Sequence, residues 1–233
     1  MRVGLERMYP ASGSADGDDV YYYVTVYNEN YEQPAQPDNV SDDDIMSGLY
    51  RFDTRPAGTA HSATVLFSGP SHSAARWARD ELASEYGVGL ELWSATSYKR
   101  LREQALDAER WNRINPDSPR PIEVTDKLNS TEGPIIAVSD YMTIVPEQIA
   151  RWAPRSFTPL GTDGYGRSDT RDVLRSFFET DGPSVVVAVL ASLADEGAID
   201  RSVVDAAIDR YNIDRERTNP LFHKAGPTLH ENR

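Results

Sequence analysis

Cysteine is absent from the 233 residues, which excludes a disulfide framework, a thiolate metal cluster, a cysteine nucleophile and a thiol redox relay. Long apolar runs are absent too. The longest, Val185 to Ala191, is far short of the ~20 residues needed to cross a bilayer. The opening Met1-Arg2-Val3-Gly4-Leu5-Glu6-Arg7 has no apolar stretch of the kind a signal peptide needs, so none is expected. Basic charge is scarce: 24 Lys and Arg against 37 Asp and Glu leave a net charge of −13. Such a chain repels phosphate backbones and anionic lipid, so neither nucleic acid nor a membrane is expected as a partner. With 39% hydrophobic and 26% charged residues the composition is that of a globular protein, expected in the cytoplasm.

The chain begins with about two turns of helix (Val3, Leu5, Met8) before Pro10 and a polar stretch. Val20-Tyr21-Tyr22-Tyr23-Val24-Thr25-Val26-Tyr27 has the β-branched and aromatic content of a buried strand, yet residues 1 to 60 offer little to pair with it. The segment therefore reads as the end of a domain whose body lies elsewhere. Residues 34–60, with Pro34, Pro37, Ser41-Asp42-Asp43-Asp44, Pro56 and Gly58, read as an acidic linker interrupted by a short strand at Leu49 to Phe52.

From residue 61 strand-like and helix-like patterns alternate. Strands are expected at Ala63–Phe67, Gly89–Trp93, Pro134–Val138 and Phe157–Leu160. Helices are expected through Ala75, Ala78, Leu82 and Tyr86 with Gly87 as a stop, over Tyr98–Trp111, from Pro146 and Glu147, from a Ser168 cap through Phe178, over Pro183–Ala194, and from an Asp200 cap through Tyr211. Alternation of this kind implies an α/β domain with a mostly parallel sheet flanked by helices. Residues 219–233 read as a disordered tail.

Chemistry-bearing residues are few. Gly161-Thr162-Asp163-Gly164-Tyr165-Gly166-Arg167-Ser168-Asp169-Thr170-Arg171 could aim backbone N–H groups and two arginines at an anion. A tight strand-to-helix turn with Ser168 as cap is the preferred reading, since the spacing matches neither Gly-x-Gly-x-x-Gly nor a phosphate-binding loop. His61, His72, His223 and His230 show no metal-ligand spacing, and Ser68 and His72 are neighbours on the chain rather than a catalytic pair. Asp16 to Asp19 and Asp42 to Asp44 read as solvated acidic loops. Tyr27-Asn28-Glu29-Asn30-Tyr31 and Asp140-Tyr141-Met142 follow strands, where sites gather in α/β folds. Trp93 and Trp111 read as packing residues. No catalytic, cofactor-binding or metal-binding residue is assigned.

Taken in order, Glu6-Arg7-Met8-Tyr9, Val20 to Pro34, Tyr86-Gly87-Val88-Gly89, Ser94-Ala95-Thr96-Ser97-Tyr98, Glu109-Arg110-Trp111-Asn112, Val138-Ser139-Asp140-Tyr141-Met142, Leu160 to Arg171 and Tyr211-Asn212-Ile213-Asp214 resemble the last quarter of the decarboxylating component of the homodimeric, bacterial-type pyruvate dehydrogenase complex. The resemblance implies a remnant of the middle, pyrimidine-binding domain at 1–33, the linker at 34–60, a transketolase-type C-terminal domain at 61–218 and the tail beyond. It also implies a family that decarboxylates pyruvate on thiamine diphosphate with magnesium and passes the acetyl group to lipoamide. Its partners would be the upstream domains of the same enzyme, a second copy in a homodimer and the dihydrolipoyl acyltransferase. The family's Gly-Asp-Gly and Asn-Asn cofactor motif has no counterpart here: Thr162-Asp163-Gly164 only echoes it, and no Asn-Asn pair occurs. No cofactor is therefore expected on this chain alone, and whether it is itself an enzyme stays open. The alternatives are a non-catalytic interaction module, or a subunit of a related 2-oxo-acid dehydrogenase or transketolase-like enzyme.

Overall fold

A computed structural model describes residues 2–10, 17–24, 26 and 30–223. The chain divides into two compact units, Met1–Ala35 and Gln36–Arg233.

In the first unit α1 (Arg2–Met8) is followed by irregular chain. Arg7 holds this turn together, its Nε donating to Asp18 Oδ2 at 2.8 Å and its Nη1 to the Tyr22 hydroxyl at 3.3 Å. The Tyr22 ring covers Gly4, where a Cβ would stand 2.9 Å from the ring edge. The buried strand expected over Val20–Tyr27 does not form in residues 20–24 and 26: none of them joins a sheet, and Tyr21, Tyr23 and Val26 are 83–87% exposed. A strand needs a ladder partner, and the described residues of this unit supply none. Tyr27, Asn28 and Glu29 lie outside the described residues.

The second unit is a five-stranded sheet between two helical layers. Its elements in chain order are α2 (Asp42–Met46), β1 (Leu49–Asp53), β2 (His61–Phe67), α3 (His72–Tyr86), β3 (Val88–Ala95), α4 (Tyr98–Ile114), α5 (Glu123–Leu128), β4 (Ile135–Val138), α6 (Ile144–Glu147), β5 (Phe157–Leu160), α7 (Arg171–Phe177), α8 (Gly182–Asp195) and α9 (Arg201–Arg210). The strand order is β1-β3-β2-β4-β5. Neighbours are parallel except β1, which pairs antiparallel along β3 with Leu49 opposite Ala95.

Side-chain alternation along the strands divides the core. Ala63, Val65, Phe67, Leu90, Leu92, Ile136 and Val138 face α3 and α8, where Ala75, Ala78, Leu82, Val186, Val189 and Leu190 meet them. Leu66, Trp93, Ile135 and Ala137 point the other way, onto Leu101 and Ala105 of α4 and Val124 and Leu128 of α5. Two-sided burial explains why these strands read as continuous apolar runs.

The 34–60 segment expected as a linker contains α2 and β1, and β1 is an edge strand of the sheet. Asp42-Asp43-Asp44 is not a solvated loop but the first turn of α2. Ser41 and Asp44 cap it reciprocally, because acidic side chains suit a helix start. Helix α6 starts two residues ahead of Pro146. Residues Pro220–Phe222, expected in the disordered tail, form a 3-10 turn capped by Asn219; the tail from 224 onward lies outside the described residues. The chain's most apolar helical stretch, Arg171–Asp195, is long and apolar enough to cross a membrane by composition. It is interrupted between α7 and α8, and Val185, Val186, Val189, Leu190 and Leu193 of α8 are core residues.

Candidate functional site

The strand order decides where a site can form. From β2 the chain crosses through α3 to β3 on one side, then through α4 and α5 to β4 on the other side of β2. The carboxyl ends of β2 and β4 are thus neighbours whose continuations part to opposite faces, toward α3 and toward Ile149 and Trp152 in the second core. In open α/β sheets this divergence opens the crevice where ligands bind.

Three loops meet there. Ser68, after β2, donates from Oγ to Ser139 Oγ, after β4, at 3.0 Å in a buried contact, and Ser139 Oγ accepts the Tyr141 N–H at 3.0 Å. Ser71 Oγ reaches Asp140 Oδ1 at 3.4 Å. After β5, Thr162 donates from Oγ1 to the Asp140 carbonyl at 2.7 Å and from N to the Tyr141 carbonyl at 2.9 Å. Asp163 accepts from Thr143 N at 3.1 Å and Thr143 Oγ1 at 2.7 Å. The carboxylate that echoes a cofactor motif is thereby occupied in joining two loops.

The glycine-rich stretch is a packing device. A Cβ at Gly161 would stand 2.5 Å from the Tyr141 carbonyl oxygen, and one at Gly164, where φ is +95°, 2.4 Å from that of Pro220; Gly166 faces open space. Ser168 is exposed and does not cap the helix after it: α7 begins at Arg171 behind Thr170, which makes no capping bond. The Arg167 guanidinium lies 2.6 Å from His223 Nδ1 and 4.5 Å from the Phe177 ring centroid. The stretch is thus a packed turn, but without the Ser168 cap expected of it.

Residues 171, 174, 175 and 178 share one face of α7 by helical spacing and line a cavity of about 180 Å³ with Asp140, Thr162 and Thr180. α7 ends in a Schellman motif: Glu179 takes φ +59°, its N–H bonds the Ser176 carbonyl at 3.2 Å, and the Thr180 N–H bonds that of Arg175 at 2.9 Å. The fold-back places Thr180 in the wall, 2% exposed, with its hydroxyl lacking a hydrogen-bond partner. Sequence reasoning missed this stripe, although the i, i+3, i+4, i+7 spacing of Arg171, Leu174, Arg175 and Phe178 carried the signal.

The other sequence motifs are clamps. On α4, Trp111 Nε1 donates to the Ser118 carbonyl at 2.8 Å, Asn112 Nδ2 to that of Arg120 at 3.0 Å, and Glu109 accepts from Trp152 Nε1 at 2.7 Å. Ser97 caps α4, and burial pushes the Tyr98 hydroxyl well above its ordinary value. The Tyr211 hydroxyl donates to Glu81 at 2.8 Å and sits 3.3 Å from Tyr86, pinning the end of α9 to α3; burial, then these bonds, raise its pKa.

His61 opens β2, and His72 Nδ1 lies 3.4 Å from the Gly69 carbonyl; His230 is outside the described residues. Among the described residues no three His, Asp or Glu side chains converge as a metal site.

The family model of the transketolase-like TK C-terminal domain matches residues 48–181. The pyruvate dehydrogenase E1 component of Mycolicibacterium smegmatis is 44% identical over 212 residues, 91% of this chain and 22% of that protein. The corresponding component of Cupriavidus necator is 44% identical over 223 residues, 95% of this chain and 24% of that one. That of Escherichia coli K12 is 40% identical over 222 residues, 94% and 24%. The chain thus spans less than a quarter of the length of these curated relatives. A solved transketolase from Leishmania mexicana shares 16% identity at TM-score 0.45, over 68% of this chain and 20% of that one.

Proposed function

The chain belongs to the transketolase-like C-terminal domain family, and from that premise we propose that it is the C-terminal portion of a pyruvate dehydrogenase decarboxylating component. The observation that carries this reading is identity of 40–44% sustained along 91–95% of the chain. The chemistry of the whole enzyme, decarboxylation of pyruvate on thiamine diphosphate with transfer of acetyl to lipoamide, would reside in upstream domains. This chain's contribution is scaffold: the α4 clamps, the Tyr211 anchor and the loop braid at the carboxyl edge hold a rigid body against which other domains pack. Its proposed partners are those upstream domains, a second copy of the enzyme and the dihydrolipoyl acyltransferase, in the cytoplasm.

A second reading, an interaction module without catalysis of its own, is favoured by Tyr21, Tyr23 and Val26, large apolar groups left exposed.

One experiment separates the two. The purified chain is incubated with pyruvate, thiamine diphosphate and Mg²⁺, alone and together with a separately expressed polypeptide covering the remaining length of a relative. Release of CO₂ only in the mixture, dependent on both pieces, supports the enzyme reading. Binding without restored turnover favours the module. Turnover by the chain alone overturns the scaffold role.

A further inference from the structure

We propose that the outer face of α4 docks an acidic helix of a partner protein. The chain carries a net charge of −13, yet Lys99, Arg102, Arg110 and Arg113 stand exposed along one line of α4, with Glu103 as the acid among them. Their spacing keeps all four on one face of an α-helix over about 21 Å, away from the buried Leu101, Ala105 and Ala108. Arg102, Arg110 and Arg113 make no hydrogen bond or ion pair among the described residues. The acids of α4 that could reach them are committed elsewhere. Asp107, three residues before Arg110, pairs with Arg120 at 3.2 Å, and that guanidinium lies 3.5 Å from the Trp111 ring centroid. Glu109, four residues before Arg113, pairs with Arg151 and accepts from Trp152 Nε1 at 2.7 Å. Glu103 pairs with Lys99 at 3.3 Å.

A helix face that only meets water gains from cations set three or four residues from acids. Here Lys99 and Arg102, and again Arg110 and Arg113, place like charges at that spacing, where they repel. An acidic partner removes the repulsion. Charge also narrows the occupant. A second copy set face to face is excluded, because a two-fold axis would lay one basic row on the other. Nucleic acid is disfavoured by the −13 of the whole chain, which repels a long polyanion at a distance. The apolar members of the face favour a protein as well: Leu106 lies half-buried midway along the row, and Ile114 at its end is 57% exposed. A helix laid alongside α4 presents acids at the same three- and four-residue spacing and apolar side chains between them. This inference rests on α4 alone and stands whether or not the chain is part of the enzyme proposed above.

The test uses the full 233-residue chain and a helix-forming peptide of about 15 residues with Glu and Leu on one face at three- and four-residue spacing. Three further probes accompany it: the same peptide with Gln for Glu, a scrambled peptide of identical composition, and a single-stranded oligonucleotide of equal charge. NMR titration at about 50 mM salt should give a Kd of about 300 µM for the first peptide, with shifts at residues 99–114. Raising the salt to about 300 mM should weaken it about fivefold or more. The Gln peptide, the scrambled peptide and the oligonucleotide should each bind at least about threefold more weakly. Arg110→Gln and Arg113→Gln should each weaken the Glu peptide about threefold, and Arg76→Gln, an exposed arginine on α3, should leave it unchanged. The comparison among probes needs no variant, so it decides the matter even where a substitution disturbs the fold. Equal binding of the Glu and Gln peptides, shifts outside α4, or loss at Arg76→Gln equal to that at Arg110→Gln would each overturn the docking face. Equal binding of the scrambled peptide would overturn the helical partner, and tighter binding of the oligonucleotide would overturn a protein as the occupant.

Discussion

Gly182, the first residue of α8, lies against the face of Trp77 on α3: a Cβ built there would come within 2.3 Å of Trp77 Cε3. α3 and α8 pack on the same face of the sheet, and this is a close contact between them. Gly182→Ala should therefore destabilise by about 1 to 3 kcal/mol, the usual effect of forcing an extra methyl group into a packed contact. Equilibrium urea unfolding reads this directly, and an unchanged midpoint would show that the indole simply swings away.

Helix caps give a second prediction. Asp181 Oδ1 accepts the Ser184 N–H at 3.0 Å, and Asp200 Oδ1 accepts that of Ser202 at 2.8 Å, whereas Ser168 caps nothing. Asp181→Ala and Asp200→Ala should each cost about 1 kcal/mol, and Ser168→Ala less than about 0.5 kcal/mol. A cost at Ser168 equal to that at Asp181 would mean that α7 starts earlier than Arg171.

The contrast between these caps marks what the sequence can reveal. Asp200 and Gly87 are strong local signals whose meaning does not depend on distant contacts, and both stand where the pattern placed them: Gly87 ends α3 at φ +62°. The strands were legible because burial on both faces leaves runs such as Val65–Phe67 and Ile135–Val138 apolar throughout. Ser168 failed because a cap-forming residue ahead of an apolar run is a weak cue when two more residues, Asp169 and Thr170, separate it from the helix. The Val20–Val26 run failed for the opposite reason: strand propensity is a preference for a pleated, half-buried surface, and among the described residues nothing provides one. The cavity behind α7 was hidden in part because Asp140 reaches it from a loop far away in sequence.

Acid should weaken the fold through Glu132. Its side chain pairs with Arg55 and accepts from Ser62 at 3.2 Å, and these contacts hold its carboxyl below the ordinary value of 4.5. A carboxyl depressed in the folded state stabilises at pH values above its unfolded pKa, and that contribution is lost as pH falls through the folded value. Glu132→Gln removes the titrating group. Between about pH 6 and about pH 3.5 the variant's urea midpoint should accordingly fall less than that of the wild type. Equal falls would show that Arg55 is not engaged by Glu132 in solution.

The two-unit division makes the last prediction. Both hydrophobic cores are built from residues at or beyond Leu49, and β1, the first strand, already belongs to the sheet through its pairing with β3. The described residues of the first unit appear in neither core, and they include Tyr21, Tyr23, Val24 and Val26 at 54–87% exposure. Exposed groups of this size favour association, since burying each is worth roughly 1.5 to 3 kcal/mol. Deleting residues 1–35 should leave cooperative unfolding of the remainder at the same urea midpoint, and should shift the full chain's concentration-dependent association toward monomer in sedimentation velocity. Limited proteolysis should likewise cut in the irregular stretch between about residues 30 and 41 and spare β1, where ladder hydrogen bonds withdraw the backbone from a protease. Loss of cooperative folding in the truncated chain would mean that the first unit completes the second, and the boundary at residue 35 would have to move. Cleavage within Leu49–Asp53 would mean instead that the edge strand opens readily, and that the sheet proper begins at β2.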